Sequence, residues 1–366
     1  MRIIVLGTRG IPNIQGGVET HCEELYPRLV KLDNKVSLIR RTCYVPEEDK
    51  LTEYKGVELI NLFTVRRITT ETLLHTFLGV LWARLKGTDI LHIHAIGPAI
   101  FIPFARLLGL KVVFTHHGPD YNRAKWGPVA KSVLRIGEKW GSKCANEIIV
   151  ISEVIKKYLE DKYNRLDTNL IYNGVTPPLF AAKTDYIKSL GLKPRRYVFT
   201  LGRFVEEKGF DFLIKAFNEL KQSEFRLVIA GDADHEIPYT KHLKKMARLN
   251  NVVMPGFVKG EELQQLFTHA RLFVLPSFHE GLPISLLEAM SYRLPVLVSD
   301  IPANKQVPLP ENTFFITGDG DSLKGNLNRI LEQEYAPVDY DMTPYDWDKI
   351  ALQTEEVYKK VFDSKR

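Results

Sequence analysis

The first half of the chain alternates short β-branched runs with stretches of helical periodicity. Arg2–Leu6, Val36–Ile39, Ile90–His94, Lys111–Thr115 and Glu147–Ile151 read as strands, and Val18–Lys31 reads as a helix. Strands separated by helices at this spacing imply βαβ units and a parallel sheet, because parallel strands need a crossover. The pattern restarts after the Pro- and charge-rich stretch Thr176–Arg196. Tyr197–Leu201, Phe225–Ala230, Asn251–Met254, Leu272–Leu275 and Val296–Ser299 read as strands, again with helical segments between. Two successive doubly wound α/β domains are therefore expected, with a hinge near Asn173–Pro178. Trp347–Phe362 reads as a separate last helix. Ligands of such sheets bind beyond the carboxyl ends of the strands, so the loops after strands hold the candidate chemistry.

Composition narrows the class. At 366 residues, 45% hydrophobic and 26% charged, the chain has the length and apolar content for two to three cored domains. A disordered chain, a disulfide miniprotein and a collagen-like fibre are excluded. The net charge of +6 is unevenly placed: residues 1–180 carry 25 basic and 18 acidic side chains, residues 181–366 carry 25 and 26. Two halves with different partners are expected, and so mild an excess does not point to nucleic acid. Cys22, Cys43 and Cys144 are few, distant and odd in number, which suits a reduced compartment. The apolar run Ile3–Leu6 is too short for a signal-peptide core, and no stretch approaches 18 apolar residues. The expected address is the cytoplasm.

Four loops carry candidate residues. After the first strand, Gly7-Thr8-Arg9-Gly10 leads to Gly16-Gly17, where a helix start would aim N–H groups at an anion. The spacing is not that of a Rossmann dinucleotide fingerprint. His116-His117 follows the strand at Lys111–Thr115, and neighbouring side chains point to opposite faces, so at most one faces a ligand. Gly202-Arg203 and Lys208-Gly209 follow Tyr197–Leu201. A guanidinium fork and a point charge five positions apart suit a diphosphate, while Glu206 and Glu207 offer the alternative of a solvated, salt-bridged loop. The passage Pro276–Met290 follows Leu272–Leu275, with Glu280 in the loop and Glu288 about one turn into a helix that begins around Ile284. Free N–H groups of Gly281–Ser285 would attract an anion there, and Glu288 could accept hydrogen bonds from ribose hydroxyls. A capping role for Glu280 and plain exposure for Glu288 are the competing readings.

Taken in order, these passages resemble the retaining nucleotide-sugar glycosyltransferases of the GT-B fold, glycosyltransferase family 4 in particular. The most specific element is Glu280 and Glu288 with seven residues between them. Gly16-Gly17-Val18-Glu19, Thr115–Gly118, Ile151-Ser152-Glu153, Tyr172–Val175, Gly202-Arg203, Lys208-Gly209, Gly231-Asp232 and Gly256-Phe257-Val258 support it. The opening Gly7–Pro12 resembles a subgroup from bacterial cell-surface polysaccharide synthesis that includes rhamnosyltransferases. The resemblance implies two Rossmann-like domains facing across a cleft: residues 1–175 binding the acceptor, 176–340 binding the nucleotide-sugar, and 341–366 returning to the first domain. It implies that Arg203 and Lys208 hold the donor diphosphate, with Gly202 beside them. Glu288 would bind the ribose, and the backbone of Phe257 and Val258 the base. Glu280 would contact the donor sugar with N–H groups of Gly281, Leu282, Pro283 and Ile284. His117 would meet the sugar near its 6-position, and Gly16 and Gly17 would approach the phosphate. The loop Glu280–Ile284 lacks the second aromatic or glycine of many relatives, so it does not identify the sugar.

The implied reaction moves a sugar from a nucleoside-diphosphate donor, such as a UDP- or GDP-sugar, to a hydroxyl of a glycan or lipid-linked glycan. A front-face route needs no cofactor and no metal, because cations hold a good leaving group. Asp-x-Asp strings occur at Asp232/Asp234, Asp319/Asp321, Asp339/Asp341 and Asp346/Asp348. They read as background, and only the first, which follows a strand, stays in consideration as a metal site. Thr72–Leu85 is apolar on almost every face, with Arg66-Arg67 upstream. It reads as a helix covering the sheet; contact with anionic lipid at the inner face of the membrane stands as a separate hypothesis. A sugar-nucleotide epimerase on the same fold and a non-catalytic nucleotide-sugar-binding subunit remain open as alternatives.

Overall fold

A computed structural model describes residues 1–45, 51–64, 71–122, 126–220, 224–233 and 236–364. The chain divides into two compact units, Met1–Gly174 with Tyr345–Arg366, and Val175–Pro344.

The first unit is built on an eight-stranded sheet. Its strands in chain order are β1 (Arg2–Leu6), β2 (Lys35–Arg41), β3 (Glu53–Tyr54), β4 (Val57–Leu62), β5 (Ile90–His94), β6 (Val112–His116), β7 (Glu147–Val150) and β8 (Thr168–Leu170). The spatial order is β3-β4-β2-β1-β5-β6-β7-β8, parallel except for the β3–β4 hairpin. The strand order reverses between β1 and β5, so this is where the connections leave to opposite faces and open a crevice. Gly7 makes the junction close: a Cβ there would lie 2.1 Å from the carbonyl oxygen of His94, and its φ is 103°. β3 and β8 escape the sequence pattern because they are short edge strands with few apolar positions.

Helix α1 (Gly17–Lys31) and the last helix α13 (Trp347–Asp363) cover one face together. Leu25, Tyr26 and Leu29 pack with Trp347, Ile350, Tyr358 and Val361 over Ile3, Val5, Ile90 and Val113. Gly174 seats the return of the chain, since a Cβ at that position would meet the Trp347 indole at 2.5 Å. Helices α2 (Glu71–Lys86), α3 (Ile102–Leu107), α4 (Pro128–Cys144) and α5 (Glu153–Tyr163) complete the unit. α2 buries His75, Thr76, Gly79, Val80 and Ala83, and Gly79 allows contact with Leu6; Leu74, Phe77 and Leu85 stay exposed. It is thus a covering helix with an apolar outer edge. Arg66 and Arg67 lie outside the described residues.

The second unit has a five-stranded, all-parallel sheet in the order β10-β9-β11-β12-β13. These strands are β9 (Tyr197–Leu201), β10 (Arg226–Ala230), β11 (Leu272–Leu275), β12 (Val296–Ser299) and β13 (Phe314–Phe315). Helices α6 (Asp185–Ser189), α7 (Phe210–Asn218), α8 (Pro238–Leu249), α9 (Gly260–His269), α10 (Ile284–Ser291), α11 (Pro302–Lys305) and α12 (Gly320–Glu332) surround it. The expected strand at Asn251–Met254 shrinks to a single parallel bridge of Val253 to Val228. Asn251 takes a left-handed φ of 53° and Pro255 lacks an N–H, which leaves no room for a ladder. Here the strand order reverses between β9 and β11, making their carboxyl ends the expected ligand position.

Candidate active site

The loops after β9 and β11 meet at that reversal. Phe278 donates its backbone N–H to the carbonyl of Glu207 at 2.8 Å. Gly209 makes the approach possible, because its φ is 63° and a Cβ would sit 2.4 Å from the Pro276 oxygen. This brings Lys208 onto Glu280: Nζ donates to Oε1 at 2.5 Å, with 17% and 11% of the two side chains exposed. The same carboxylate oxygen accepts from Ser277 Oγ at 2.6 Å. Ser277 is tied down in turn, its carbonyl accepting from Ser299 Oγ at 2.5 Å, and Asn304 Nδ2 donates to Ser299. Gln306 Nε2 donates to the Gly281 carbonyl at 3.2 Å. Thus a bracket from β12 and α11 fixes the loop that carries Glu280. Ser277, Ser299, Asn304 and Gln306 were invisible in the sequence as site residues, since small polar side chains after strands have no distinguishing spacing.

Arg203 is half-buried just past β9. The backbone N–H groups of Gly202 and Phe204 on either side bond to Ala230 and Asp232, and buried Phe204 packs edge-on against Phe210. Lys208 is therefore not spent on the neighbouring Glu206 or Glu207, as a solvated charged loop would require. Glu288 lies half-buried in the middle of α10, and Leu282 and Pro283 are buried at its start. Pro283 has no N–H, so of the group expected to face an anion only Gly281, Leu282, Ile284 and Ser285 have an N–H to offer. Val258 is buried and Phe257 exposed, beside the β10 end where Gly231 N bonds to the Gly256 carbonyl at 2.7 Å. The structure brings Lys208 and Glu280 together.

In the first unit, Gly16 caps α1 with a φ of 149°, a position that favours glycine. The space beside it is taken by buried Glu19, whose carboxylate accepts from Arg9 Nη2 at 3.1 Å, Arg9 Nε at 3.2 Å and Thr8 Oγ1 at 3.3 Å. A carboxylate already answers the positive end of this helix. Gly17 faces open space.

The two adjacent histidines part as expected for a strand. His116 turns inward to the buried carboxylate of Glu138 at 3.2 Å and accepts from Gly118 N at 3.1 Å. Burial alone would raise Glu138, but hydrogen bonds from His116, Lys162 and Tyr163 hold it down at about 2. His117 turns the other way, half-buried, into a cluster that the sequence did not announce. His94 Nδ1 lies 2.9 Å from His117 Nε2, and the His94 ring stacks on His92 at 4.2 Å. His94 Nε2 bonds to Tyr26 Oη, His92 Nδ1 to Tyr358 Oη at 2.6 Å, and His21 Nδ1 to Asn173 Oδ1 at 3.0 Å. Burial pushes His21 down to about 4, against the opposing pull of Asn173. His92, His94 and His117 lie well below the ordinary imidazole range, through burial first and then neighbouring imidazoles.

Six of the eight Asp-x-Asp carboxylates cap a helix or pair with a basic side chain. Asp319 and Asp346 cap α12 and α13; Asp232, Asp321, Asp339 and Asp348 pair with Lys244, Lys324, Arg293 and Arg28. Asp234 lies outside the described residues.

The family Glycosyltransferase Family 4 matches residues 15–177, and the family Glycosyl transferases group 1 matches residues 182–345. The chain belongs to the family 4 glycosyltransferases. An uncharacterized glycosyltransferase of Methanocaldococcus jannaschii is 25% identical over 98% of both chains. The UDP-Gal:alpha-D-GlcNAc-diphosphoundecaprenol alpha-1,3-galactosyltransferase of Escherichia coli is 28% identical over 88% of this chain and 82% of its own. Among solved structures, the sucrose-phosphate synthase of Thermosynechococcus elongatus aligns with a TM-score of 0.82 at 20% identity, covering 99% of each chain. That likeness establishes the shared two-domain GT-B fold. A glycosyltransferase with two parallel-sheet domains is what the motif order implied. No helix among the described residues is long and apolar enough to cross a membrane.

Proposed function

We propose that this glycosyltransferase transfers a sugar, with retention at the anomeric carbon, from a nucleoside-diphosphate donor to a glycan or lipid-linked glycan hydroxyl. The observation that carries the reading is the Lys208–Glu280–Ser277 constellation at the sheet reversal of the second unit. An ammonium aimed at the point where strand ends and helix starts converge suits a diphosphate, and Glu280 beside it suits sugar hydroxyls. Arg203 and Lys208 neutralise the charge that grows on the departing phosphate, so the departure needs no metal. The acceptor hydroxyl attacks on the face the nucleotide leaves and passes its proton to a phosphate oxygen, through an oxocarbenium-like state. A double-displacement route needs two carboxyls about 5–5.5 Å apart flanking the bond. Glu280 is committed to Lys208 and Ser277, which suits it to orienting the sugar. Glu288 takes the ribose, Phe257 and Val258 the base, and His117 with Gly16 and Gly17 the sugar and phosphate from the first unit.

A donor of the UDP class and a lipid-diphosphate acceptor are favoured by the name of the Escherichia coli relative, and cell-surface glycan synthesis is the corresponding setting. Reversible contact of the basic first unit with anionic lipid fits such an acceptor, and exposed Leu74, Phe77 and Leu85 on α2 offer apolar contacts.

A melting panel with UDP, GDP, dTDP and ADP tests the donor site. A ligand at 100 times its Kd adds about 2.7 kcal/mol to native stability. One diphosphate should raise Tm in the wild type and fail to do so in Lys208→Ala. If none shifts the melt, the donor assignment falls. NMR of the first-formed product should show the donor's anomeric configuration, and added Mg²⁺ or Mn²⁺ should leave the rate unchanged. An inverted product would overturn retention.

A further inference from the structure

We infer that His21, His94 and His117 form a binding site for one borderline divalent cation of the zinc class. The three side chains come from α1, from the end of β5 and from the loop just after β6, all beside the strand reversal of the first unit. Each presents one ring nitrogen, and the three lie within 4.8 Å of one another. The His94 Nδ1 and His117 Nε2 atoms are already 2.9 Å apart. Ring nitrogens bound to a tetrahedral zinc at about 2.0–2.1 Å sit roughly 3.3 Å from one another, so this pair is near the required separation. The ring of His117, the half-buried member, lies with its centroid 5.1 Å from that of His21.

The surroundings of the ligands point the same way. A ligating imidazole is normally held by a hydrogen bond at its other nitrogen, which fixes both ring orientation and tautomer. His21 meets this condition through Asn173 Oδ1 on Nδ1, leaving Nε2 to ligate. His94 meets it through Tyr26 Oη on Nε2, leaving Nδ1. Tyr26 is itself backed by His92 Nδ1 at 3.0 Å, whose Nε2 bonds to Thr115 Oγ1 at 2.7 Å. Without a cation one proton must lie between His94 and His117. With one, it moves to the far nitrogen of its own ring, and both inner nitrogens present lone pairs. Three neutral nitrogens with one half-buried member give a site of His₃ type with a fourth position left for water. Such ligands select Zn²⁺, Co²⁺ or Ni²⁺ over Mg²⁺ or Ca²⁺, which prefer oxygen.

This site is separate from the Asp-x-Asp strings, and its occupancy is read directly, without donor or activity. Untagged full-length protein, stripped with chelator, is titrated with Co²⁺ and followed by visible absorption. Zn²⁺ is then measured by competition with a chromophoric chelator. One equivalent should bind, with the intense d–d bands of a four-coordinate Co²⁺ site, and Zn²⁺ should displace it. His117→Ala and His21→Ala should each weaken binding at least 10-fold, while excess Mg²⁺ should not compete. Far-ultraviolet dichroism and melting of both variants check that they fold. His117→Ala, at the half-buried position, keeps the test decisive if His21→Ala does not fold. Wild-type protein without a Co²⁺ band at a tenfold excess would overturn the site. So would binding that His117→Ala leaves untouched.

Discussion

The two units share a doubly wound plan and fill it with opposite chemistry. The first buries Arg9, Glu19, His21, Arg40, Arg41, Glu71, His75, His92, His94, His116, Glu138, Glu147 and Glu355. Among the described residues of the second, Arg271 is the sole buried Asp, Glu, Lys, Arg or His. Its interior is aromatic: Phe199, Phe204, Phe210, Phe267, Phe273 and Phe315 are each about fully buried, several in edge-on pairs. A buried charge stabilises only when its partners are intact, whereas apolar packing tolerates pH and salt. The same fold can therefore carry its polar groups inside the sheet layer or only at the strand ends. In the second unit the strand ends hold the paired Lys208 and Glu280, to which the proposed reaction assigns the donor.

Matched carboxylate-to-amide changes give the largest expected contrast. Glu138 sits at the centre of His116, Lys162, Tyr121, Tyr158 and Tyr163, with its side chain fully buried. Glu138→Gln removes the charge while leaving Lys162 and its tyrosines around it. Breaking a buried pair costs about 3–5 kcal/mol, and the lower end applies because Lys162 is 39% exposed. Urea unfolding should show that loss with the donor-site binding intact. Glu280→Gln should do the reverse: stability within about 1 kcal/mol of wild type and a transfer rate about 100-fold lower or more. Equal destabilisation by the two substitutions would remove the distinction between an architectural and a chemical carboxylate.

Much of this was legible along the chain, for identifiable reasons. Both sheets announced themselves because a buried parallel strand such as Ile90–His94 or Leu272–Leu275 is continuous and apolar or β-branched at most positions. Glu280 and Lys208 stood out because each sits in a glycine-marked loop after a strand. Their direct pairing did not, since 72 residues separate them. The histidine cluster was hidden for the same reason: His21, His94 and His117 lie on three elements that only the strand order β1-β5-β6 brings side by side. His92 and His94 occupy strand positions where a sequence shows only interruptions of an apolar run. Asn251–Met254 failed in the other direction, its apolar residues satisfying a strand pattern that Asn251 and Pro255 deny to the backbone.

An acid titration sharpens the comparison at intermediate magnitude. His21 titrates at about 4 in the folded chain and near 6.5 when unfolded, so between these values the unfolded state binds more protons. Stability is then fully present above pH 6.5 and falls as pH drops towards 4. At pH 5 the loss from His21 alone is about 2 kcal/mol. His75, pushed down to about 3 by burial and by Arg41, adds to the same trend, as do His92 and His94. None of the described histidines of the second unit is buried. All four tryptophans, Trp82, Trp126, Trp140 and Trp347, belong to the first unit, so their fluorescence reports it selectively. Between pH 7 and 5 the tryptophan transition should move to lower urea. Amide exchange over β9–β12, corrected for intrinsic rates, should barely change. Parallel loss in both units would contradict the assignment of acid sensitivity to the buried imidazoles.

The smallest effect lies in the aromatic interior. Phe267 is buried against Phe199 at 5.1 Å, edge-on, and lies parallel to Tyr292 at 5.1 Å. Phe267→Leu keeps an apolar side chain but loses the ring contacts, each worth about 0.5–1.5 kcal/mol beyond area burial. A loss of about 1–2 kcal/mol follows, confined to the second unit. The ring has no proton to exchange, so that loss should be equal at pH 7 and pH 5 when read by amide exchange over β9 and β11. Tyr292 is the neighbour that could spoil this independence, but burial lifts its hydroxyl to about 12, far above the window tested. A Phe267→Leu penalty that grew on acidification would mean that protonation reaches the second interior through groups outside it. The contrast between a titrating core and an inert one would then fail at its inert end.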